Sequence, residues 1–154
     1  MVDAQFVLLD TDVWSMVYAR APKKRDERAA GWAAQLQGRT VVISTQTRAE
    51  VLSGLASRDL GERRRSAIVA QLDATPTVPV TEDIVVAYAD LTGDCRRAGH
   101  ALQHKQHTGD RWVAATAIAT GIPLLAGDAI YRGAPGVPIF GANHAPAAQL
   151  FHRE

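Results

Sequence analysis

Short apolar runs alternate with longer segments of helical periodicity along this chain. Runs typical of buried strands occur at 5–10, 41–44, 122–126 and 137–140, and a weaker candidate at 77–80 is interrupted by Pro79. Between them, apolar residues recur with a helical period at about 12–20, 25–37, 46–57, 61–73, 82–98 and 110–120. Strands that alternate with helices predict an α/β fold with a central, mostly parallel sheet covered on both faces.

Length and composition predict one globular domain over residues 1–154. Of the 154 residues, 47% are hydrophobic and 21% are charged, which is ordinary for a globular protein. The chain has no internal repeat and no linker that would divide it, and its most polar connection, 99–109, is predicted to be a mobile loop. A net charge of +1 neither requires nor excludes a polyanionic partner.

Cysteine content and hydropathy predict a soluble cytoplasmic protein without a membrane partner. Cys95 is the single cysteine, so no internal disulfide can form. Residues 1–5 lack the basic and apolar regions of a secretory signal. The longest uncharged stretch, 112–127, falls short of the roughly 20 apolar residues that a membrane span needs.

Four acidic side chains are predicted to lie at one edge of the sheet. Asp10 closes the first strand, and Asp128 follows the strand at 122–126 by two residues. Glu50 lies in the first two turns of the helix after the second strand, and Asp110 begins the helix that leads back to 122–126. In a parallel α/β sheet, strands end and helices begin at the same edge. The four acids therefore approach one another if their strands are neighbours, as a reversal of strand order would allow.

The surroundings of these acids favour a metal site. Asp110 continues a helical face of small and apolar residues, and Glu50 lies among Val51, Leu52 and Leu55. Acids are rarely buried unless they are paired or bound to a metal. Oxygen ligands without histidine or cysteine favour a hard cation, Mg²⁺ or Mn²⁺. The chemistry that uses such a cluster is phosphoryl transfer or phosphodiester hydrolysis.

Each acid also has a simpler interpretation. Asp10 and Asp110 are residues of the type that caps a helix N-terminus. Glu50 has Arg48 close by as a candidate ion-pair partner, and Asp128 suits a turn. The joint placement of all four acids favours the functional interpretation over these separate ones.

Four segments resemble a PIN domain, and they are most similar to the VapC toxins of bacterial toxin–antitoxin pairs. They are LLDTDVWS at 8–15, STQTRAEVLSG at 44–54, TGDRWVAATAIATGIPLLAGD at 108–128 and the VPIFG ending. The resemblance implies a PIN-like three-layer α/β/α sandwich in which Asp10, Glu50, Asp110 and Asp128 are the catalytic and metal-binding residues. It also implies a Mg²⁺- or Mn²⁺-dependent endoribonuclease that hydrolyses RNA with a metal-activated water and so inhibits translation. The implied partners are an RNA substrate, a small antitoxin protein and a second copy in a homodimer.

Two positions depart from the common family pattern. Asp12 stands where members often carry Ser, Thr or Asn, and Ala126 stands where they often carry Thr or Ser. We hypothesise that Asp12 replaces the missing hydroxyl by holding a metal-bound water from outside the ligand set. The alternative for Asp12 is an N-terminal helix residue that faces water.

Other side chains suggest further binding roles, each with a simpler alternative. Two basic clusters are candidate phosphate contacts or solvated surfaces: Arg20, Lys23, Lys24, Arg25 and Arg28, and then Arg63, Arg64 and Arg65. Three histidines, His100, His104 and His107, suggest a zinc site, but a polar loop is favoured. Three tryptophans, Trp14, Trp32 and Trp112, suit base stacking or packing, with packing favoured and Trp112 a candidate cleft wall.

Two rival functions remain at this point. LLDTDV also fits a haloacid-dehalogenase-type phosphatase, in which Asp10 accepts the phosphoryl group and Asp12 acts as acid and base. That scheme needs a lysine from the middle of the chain, and none occurs between Lys24 and Lys105. The second rival is a PIN-like module that binds RNA without cutting it.

Overall fold

A four-stranded parallel sheet forms the centre of the molecule. The structure, a computed structural model, describes residues 5–20 and 26–141. The strands are β1 (Phe6–Leu9), β2 (Thr40–Ser44), β3 (Thr77–Val78) and β4 (Leu124–Leu125). They pair in parallel in the order β3-β2-β1-β4. The strand predicted at 137–140 is reduced to one bridge between Leu124 and Ile139, because Pro138 has no N–H to extend the ladder.

The six predicted helices are present in the described part of the chain. They are α1 (Thr11–Trp14), α2 (Glu27–Leu36), α3 (Thr45–Ser57), α4 (Glu62–Ala74), α5 (Glu82–Ala98) and α6 (Thr108–Thr120). The first differs from the prediction, because α1 continues as a π-helical turn over Ser15–Ala19. Side-chain caps begin several of them; the Ser44 hydroxyl, for example, accepts a hydrogen bond from the backbone N–H of Thr47. No helix within 5–20 or 26–141 has the length and apolar character needed to cross a membrane.

Alternating residues of β1 face opposite sides of the sheet. Val7 and Leu9 belong to a core cluster that includes residues of α1 to α4, whereas Leu8 belongs to a second cluster with residues of α5 and α6. All three side chains are fully buried. A buried strand with apolar residues at every position is what a sheet covered on both faces requires. The predicted α/β/α sandwich is confirmed.

The polar connection between α5 and α6 is more regular than the loop predicted at 99–109. It contains two short 3₁₀ helices, Ala101–Gln103 and Lys105–His107, and α6 begins at Thr108, earlier than expected. Arg111 accounts for this order. Its buried guanidinium donates hydrogen bonds to the carbonyl oxygens of Leu102 and His104, at 2.6 and 2.8 Å. These bonds tie the connection to the first turn of α6.

The order of the strands creates a crevice at one edge of the sheet. The chain passes from β1 to β2 and β3 on one side, and β4 then pairs with the opposite side of β1. Adjacent strands whose connections leave in opposite directions open a crevice at their carboxyl ends. The backbone N–H of Asp10 donates to the Leu125 carbonyl oxygen at 3.1 Å and joins the ends of β1 and β4 there. The expected reversal of strand order is confirmed.

Candidate active site

A tyrosine hydroxyl joins two of the predicted acids. Asp10 follows β1 and is only 5% exposed, and Asp110 lies in the first turn of α6. The hydroxyl of Tyr131 donates to Asp110 Oδ1 at 3.2 Å, and the same hydroxyl is near enough to the carboxylate of Asp10 to lower its pKa. On the other side of Asp110, the Nδ1 atom of His107 lies 2.9 Å from Oδ2. Neighbouring side chains thus orient both oxygens of Asp110.

Glu50 is oriented by neighbours on α1 and α3. Its Oε2 atom accepts a hydrogen bond from the hydroxyl of Thr11, and its Oε1 atom accepts one from Gln46 Nε2 at 3.0 Å. Arg48 pairs instead with an acid on α4, Asp73, at 2.8 Å. The simple interpretation of Glu50 as an ion-pair partner of Arg48 is therefore wrong.

Gly109 brings Glu50 close to the start of α6. A Cβ atom on Gly109 would lie 2.8 Å from Glu50 Oε1 and 2.9 Å from Gln46 Nε2, which is too close for real atoms. Only a glycine at this position leaves room for the present arrangement. The carboxylate of Glu50 consequently lies against the residue that precedes Asp110, where the N-terminal end of the helix also favours negative charge.

Asp10 and Asp128 also act as local caps. The Asp10 Oδ1 atom accepts a hydrogen bond from the backbone N–H of Asp12 at 2.7 Å. Asp128 is exposed, and its Oδ1 atom accepts one from the N–H of Ile130 at 2.9 Å, which begins the 3₁₀ turn Ala129–Tyr131. The cap and turn interpretations are correct for these two acids. They leave the functional interpretation open, because each cap uses one carboxylate oxygen.

The electrostatics of this edge are governed by the burial of Asp10 and by the acids near it. Burial raises the pKa of Asp10 to about 7; the charges of Asp12 and Asp110 also raise it, while hydrogen bonds from the Asp12 N–H and Tyr131 lower it. Burial and the two neighbouring carboxylates raise the pKa of Tyr131. Within the described residues, no lysine or arginine forms a salt bridge with any of the four predicted acids.

The four acids lie at one end of the sheet in three separate groups. Asp10 and Asp110 share Tyr131, Glu50 is held by α1 and α3, and Asp128 is exposed after β4. Over 5–20 and 26–141, no three acidic, histidine or cysteine side chains are arranged as a metal site. The donor set still fits a hard divalent cation, because its atoms are carboxylate oxygens and its buried charge lacks a cationic partner. Metal binding by Asp10, Glu50, Asp110 and Asp128 stays a prediction.

A cleft of about 840 Å³ is lined by two of the four acids, Glu50 and Asp128, whereas Asp10 and Asp110 are not among its lining residues. The residues that line it include the polar and acidic Thr11, Asp12, Glu50 and Asp128, and the basic and aromatic Arg20, Arg28, Trp32, Arg58 and Arg64. The indole of Trp32 lies against Gly127, where an added Cβ would be 3.0 Å from the ring. The guanidinium of Arg28 lies over the same ring, 5.3 Å from its centroid. Acidic and basic groups thus face one cavity.

Asp12 and the two basic clusters contribute to this cleft in different ways. Asp12 is exposed in the first turn of α1, so its interpretation as an N-terminal helix residue that faces water is confirmed. Because Asp12 also lines the cleft, its hypothesised role in holding a metal-bound water stays a prediction. Of the first basic cluster, Arg20 and Arg28 line the cleft, and Lys23, Lys24 and Arg25 lie outside the described residues. Of the second, only Arg64 does; Arg65 donates to the Leu55 carbonyl at 2.9 Å, and Arg63 is exposed.

The structure separates the tryptophan and histidine candidates. Trp14 is fully buried and Trp112 stacks on Tyr88 at 4.1 Å, so Trp32 is the one of the three tryptophans that lines the cleft. The suggestion that Trp112 forms a cleft wall is wrong for the cleft described here.

Among the three histidines, the ring of His100 is hydrogen-bonded to the backbone of residues 102 and 132, whereas the ring of His107 contacts Asp110. The preference against a zinc site agrees with this separation.

Four side chains that orient the acids were not predicted from the sequence. They are Thr11, Gln46, His107 and Tyr131. Gln46 precedes Glu50 by four residues, which is one helical turn, so this contact was accessible to sequence reasoning. Thr11 and Tyr131 contact acids on other elements, and no local spacing indicates those pairs.

Stability without metal should depend on pH through Asp10. Below about pH 4 the Asp10 carboxyl is protonated in the folded and the unfolded chain. Between about pH 4 and 7 the unfolded chain ionises it while the buried site keeps it protonated, so the free energy of unfolding falls as the pH rises through this range. In EDTA, we therefore expect Asp10→Asn to raise Tm relative to the natural chain by an amount that grows between about pH 4 and 7 and stays constant above pH 7, where both states are ionised. Each kcal/mol corresponds to about 2–4 °C in Tm for a domain of this size. Melting curves followed by circular dichroism measure this difference.

Asp90→Asn provides the matched control, since Asp90 is exposed on α5. Its Tm difference from the natural chain should stay constant over the same pH range. Identical pH profiles for the two variants would show that the Asp10 carboxyl is not ionised against burial.

Comparison with known proteins places this arrangement in a family. A family model described as the PIN domain matches residues 7–136. Among curated proteins, none matches the chain. Three solved structures with the same fold share between 17% and 25% identity with this chain, and one of them is described as a member of the VapBC family of toxin–antitoxin systems.

The most identical of these three is FitAcB from Neisseria gonorrhoeae, at 25% identity and a TM-score of 0.70, covering 90% of this chain and 99% of that one. VapBC2 from Rickettsia felis, bound to a DNA fragment from its promoter, has 17% identity, coverage of 87% and 96%, and a TM-score of 0.69. VapBC-5 from Mycobacterium tuberculosis has 22% identity, coverage of 87% and 94%, and a TM-score of 0.59. With the family model spanning most of its length, the chain belongs to the PIN-domain family.

Proposed function

We propose that this chain is a Mg²⁺- or Mn²⁺-dependent endoribonuclease and the toxin of a VapBC-type toxin–antitoxin pair, which inhibits translation by hydrolysing RNA. The observation that carries the proposal is the acidic edge of the sheet, where no lysine or arginine of the described residues forms a salt bridge with the four acids, next to a cleft lined by arginines. Membership of the PIN family and the toxin–antitoxin complexes among its structural relatives support the same function.

The four acids would hold the cation, and we assign them different roles. Asp10 and Asp128 follow strands of the rigid sheet, and we assign them as the most direct ligands. Glu50 and Asp110 would complete the ligand set or orient the attacking water. A divalent cation, when bound, supplies an activated water and offsets charge on the phosphate.

Neighbouring side chains prepare the acids for this role. Thr11 and Gln46 hold Glu50, while His107 and Tyr131 hold Asp110. Carboxylates that are fixed before the substrate arrives need little reorganisation during the reaction. Hydrolysis by water predicts products with a 5′-phosphate and a 3′-hydroxyl.

RNA is the substrate that the cleft suits best. Arginines grip phosphate groups with two parallel hydrogen bonds, and the guanidinium groups of Arg20 and Arg58 have no carboxylate partner among the described residues. Trp32 adds an aromatic surface of the kind on which unpaired bases stack. A single-stranded segment would thus place its backbone between the arginines and the acids.

The partners follow from the same assignment. A cognate antitoxin would inhibit the enzyme by placing a basic side chain near the four acids, with which no lysine or arginine of the described residues forms a salt bridge. For the homodimer, an exposed group of apolar side chains at the start of α5, Val80, Val85 and Val86, is a candidate contact.

The phosphatase alternative is not supported, because the chain belongs to another family and its described cleft residues include no lysine.

RNA cleavage tests the proposed function. We expect purified protein to cut end-labelled total RNA with Mg²⁺ or Mn²⁺ but not with EDTA, and to leave 5′-phosphates. Asp10→Asn should reduce the cleavage rate by at least about 100-fold, since it removes a charged ligand at the reacting centre. The control is Asp90→Asn, which changes an exposed acid outside the cleft.

Other outcomes of this experiment are equally decisive. A 2′,3′-cyclic phosphate would show that the RNA's own 2′-hydroxyl attacks, and it would exclude hydrolysis by water. RNA binding without cleavage under all metal conditions would favour the non-catalytic RNA-binding module.

Gly109→Ala should separate activity from stability. The added methyl group displaces the Glu50 carboxylate, but it meets only the flexible ends of Glu50 and Gln46, so the fold can adapt. We expect the cleavage rate to fall by about 10–100-fold, as for other small misplacements of catalytic groups. Gly31→Ala is the control, because a Cβ there has no neighbour within 4 Å. Equal rates for both variants would mean that the position of Glu50 is unimportant.

Arg58 tests the proposed path of the RNA. We expect Arg58→Ala, made in the inactive Asp10→Asn background, to weaken RNA binding and to reduce the slope of log K against log salt by about 0.7–1, the value for one lost phosphate contact. Arg96→Ala is the control, since Arg96 is exposed on α5 outside the cleft. The same salt slope in both variants would exclude a phosphate contact at Arg58.

A further inference from the structure

Tyr131 is a buried tyrosine with an unusual position among the acids. Its side chain is 2% exposed, and its ring belongs to the core cluster formed with α5 and α6. The hydroxyl is directed away from this apolar contact and reaches both Asp10 and Asp110. Of the side chains that orient the four acids, Tyr131 is the one in the described structure that contacts two of them.

The backbone around Tyr131 connects it to a third acid. Asp128 caps the short turn Ala129–Tyr131 by accepting the N–H of Ile130 at 2.9 Å. The turn therefore has Asp128 at one end and the tyrosine hydroxyl, in contact with Asp10 and Asp110, at the other. Three acids from the ends of β1 and β4 and the start of α6 are linked through one turn.

We propose that Tyr131 is a positioning residue that holds Asp10 and Asp110 in a fixed arrangement for a divalent cation. This role rests on the proposed function, because it assumes that these two acids bind the metal. Two adjacent carboxylates repel each other, and a hydrogen-bond donor between them offsets part of that repulsion before any cation arrives. A cation then meets an arrangement that is already formed, which reduces the cost of binding.

Substitution by phenylalanine isolates this role. Tyr131→Phe keeps the ring in its core cluster and removes only the hydroxyl. Groups that hydrogen-bond metal-ligating carboxylates typically change metal affinity by about 10–100-fold when they are removed. We therefore expect the Kd for Mn²⁺, measured by titration calorimetry, to rise by about that factor. Melting curves in EDTA verify that the variant is folded.

Tyr18→Phe is the matched control. Tyr18 is also partly buried, it packs near Trp14 with ring centroids 5.8 Å apart, and its hydroxyl makes no hydrogen bond to the four acids. Its removal should leave the Kd for Mn²⁺ unchanged within about twofold, a difference well below the factor expected for the metal-site variant.

A double variant separates positioning from a general effect on the fold. In Asp110→Asn, the partner of the Tyr131 hydroxyl no longer carries charge, so adding Tyr131→Phe should change the Kd by a smaller factor than it does in the natural chain. Equal factors in both backgrounds, or an unchanged Kd in Tyr131→Phe alone, would overturn the role of Tyr131. Failure of the natural chain to bind Mn²⁺ or Mg²⁺ would instead overturn the metal site, and with it both this role and the proposed function.

Discussion

The burial of the Asp10 carboxylate at the end of a parallel strand is the constraint on which this molecule depends. The side chain is 5% exposed, lies beside other acids and has no cationic partner among the described residues. A charge in such a place is costly unless something compensates for it. Here the compensation comes from neutral donors, the N–H of Asp12 and the hydroxyl of Tyr131. The negative charge that these donors leave unbalanced is the basis of the metal site proposed at this edge of the sheet.

Sequence reasoning predicted the elements and the acids, because both depend on local patterns. Apolar runs and helical periods identify the elements, and a parallel sheet brings strand ends and helix starts to one edge. The predictions failed where a distant or special residue decides the structure. Arg111 orders the connection at 99–109, and Pro138 limits the last strand to one bridge.

The side chains that orient the acids were harder to predict for a related reason. Tyr131 and Thr11 contact acids on other elements, so their roles depend on how β1, β4 and α6 are placed in space. The choice among the tryptophans depended on the same information. Trp32 lines the cleft because Gly127, next to Asp128, leaves room for its ring. The sequence shows that position 127 lacks a side chain, but it does not show which distant side chain fills the space that this leaves.

The anchoring of α6 through Arg111 gives the acidic edge a resistance to ionic strength. Most cationic side chains at a protein surface pair with carboxylates, and dissolved ions screen the attraction between such exposed charges, with a screening length of about 8–10 Å near physiological ionic strength. Arg111 is buried and donates instead to the uncharged carbonyls of Leu102 and His104. Dissolved salt therefore has little effect on these hydrogen bonds, which fix the first turn of α6 and with it Asp110. A salt concentration high enough to release a bound polyanion from the arginines of the cleft would therefore leave the position of Asp110 unchanged.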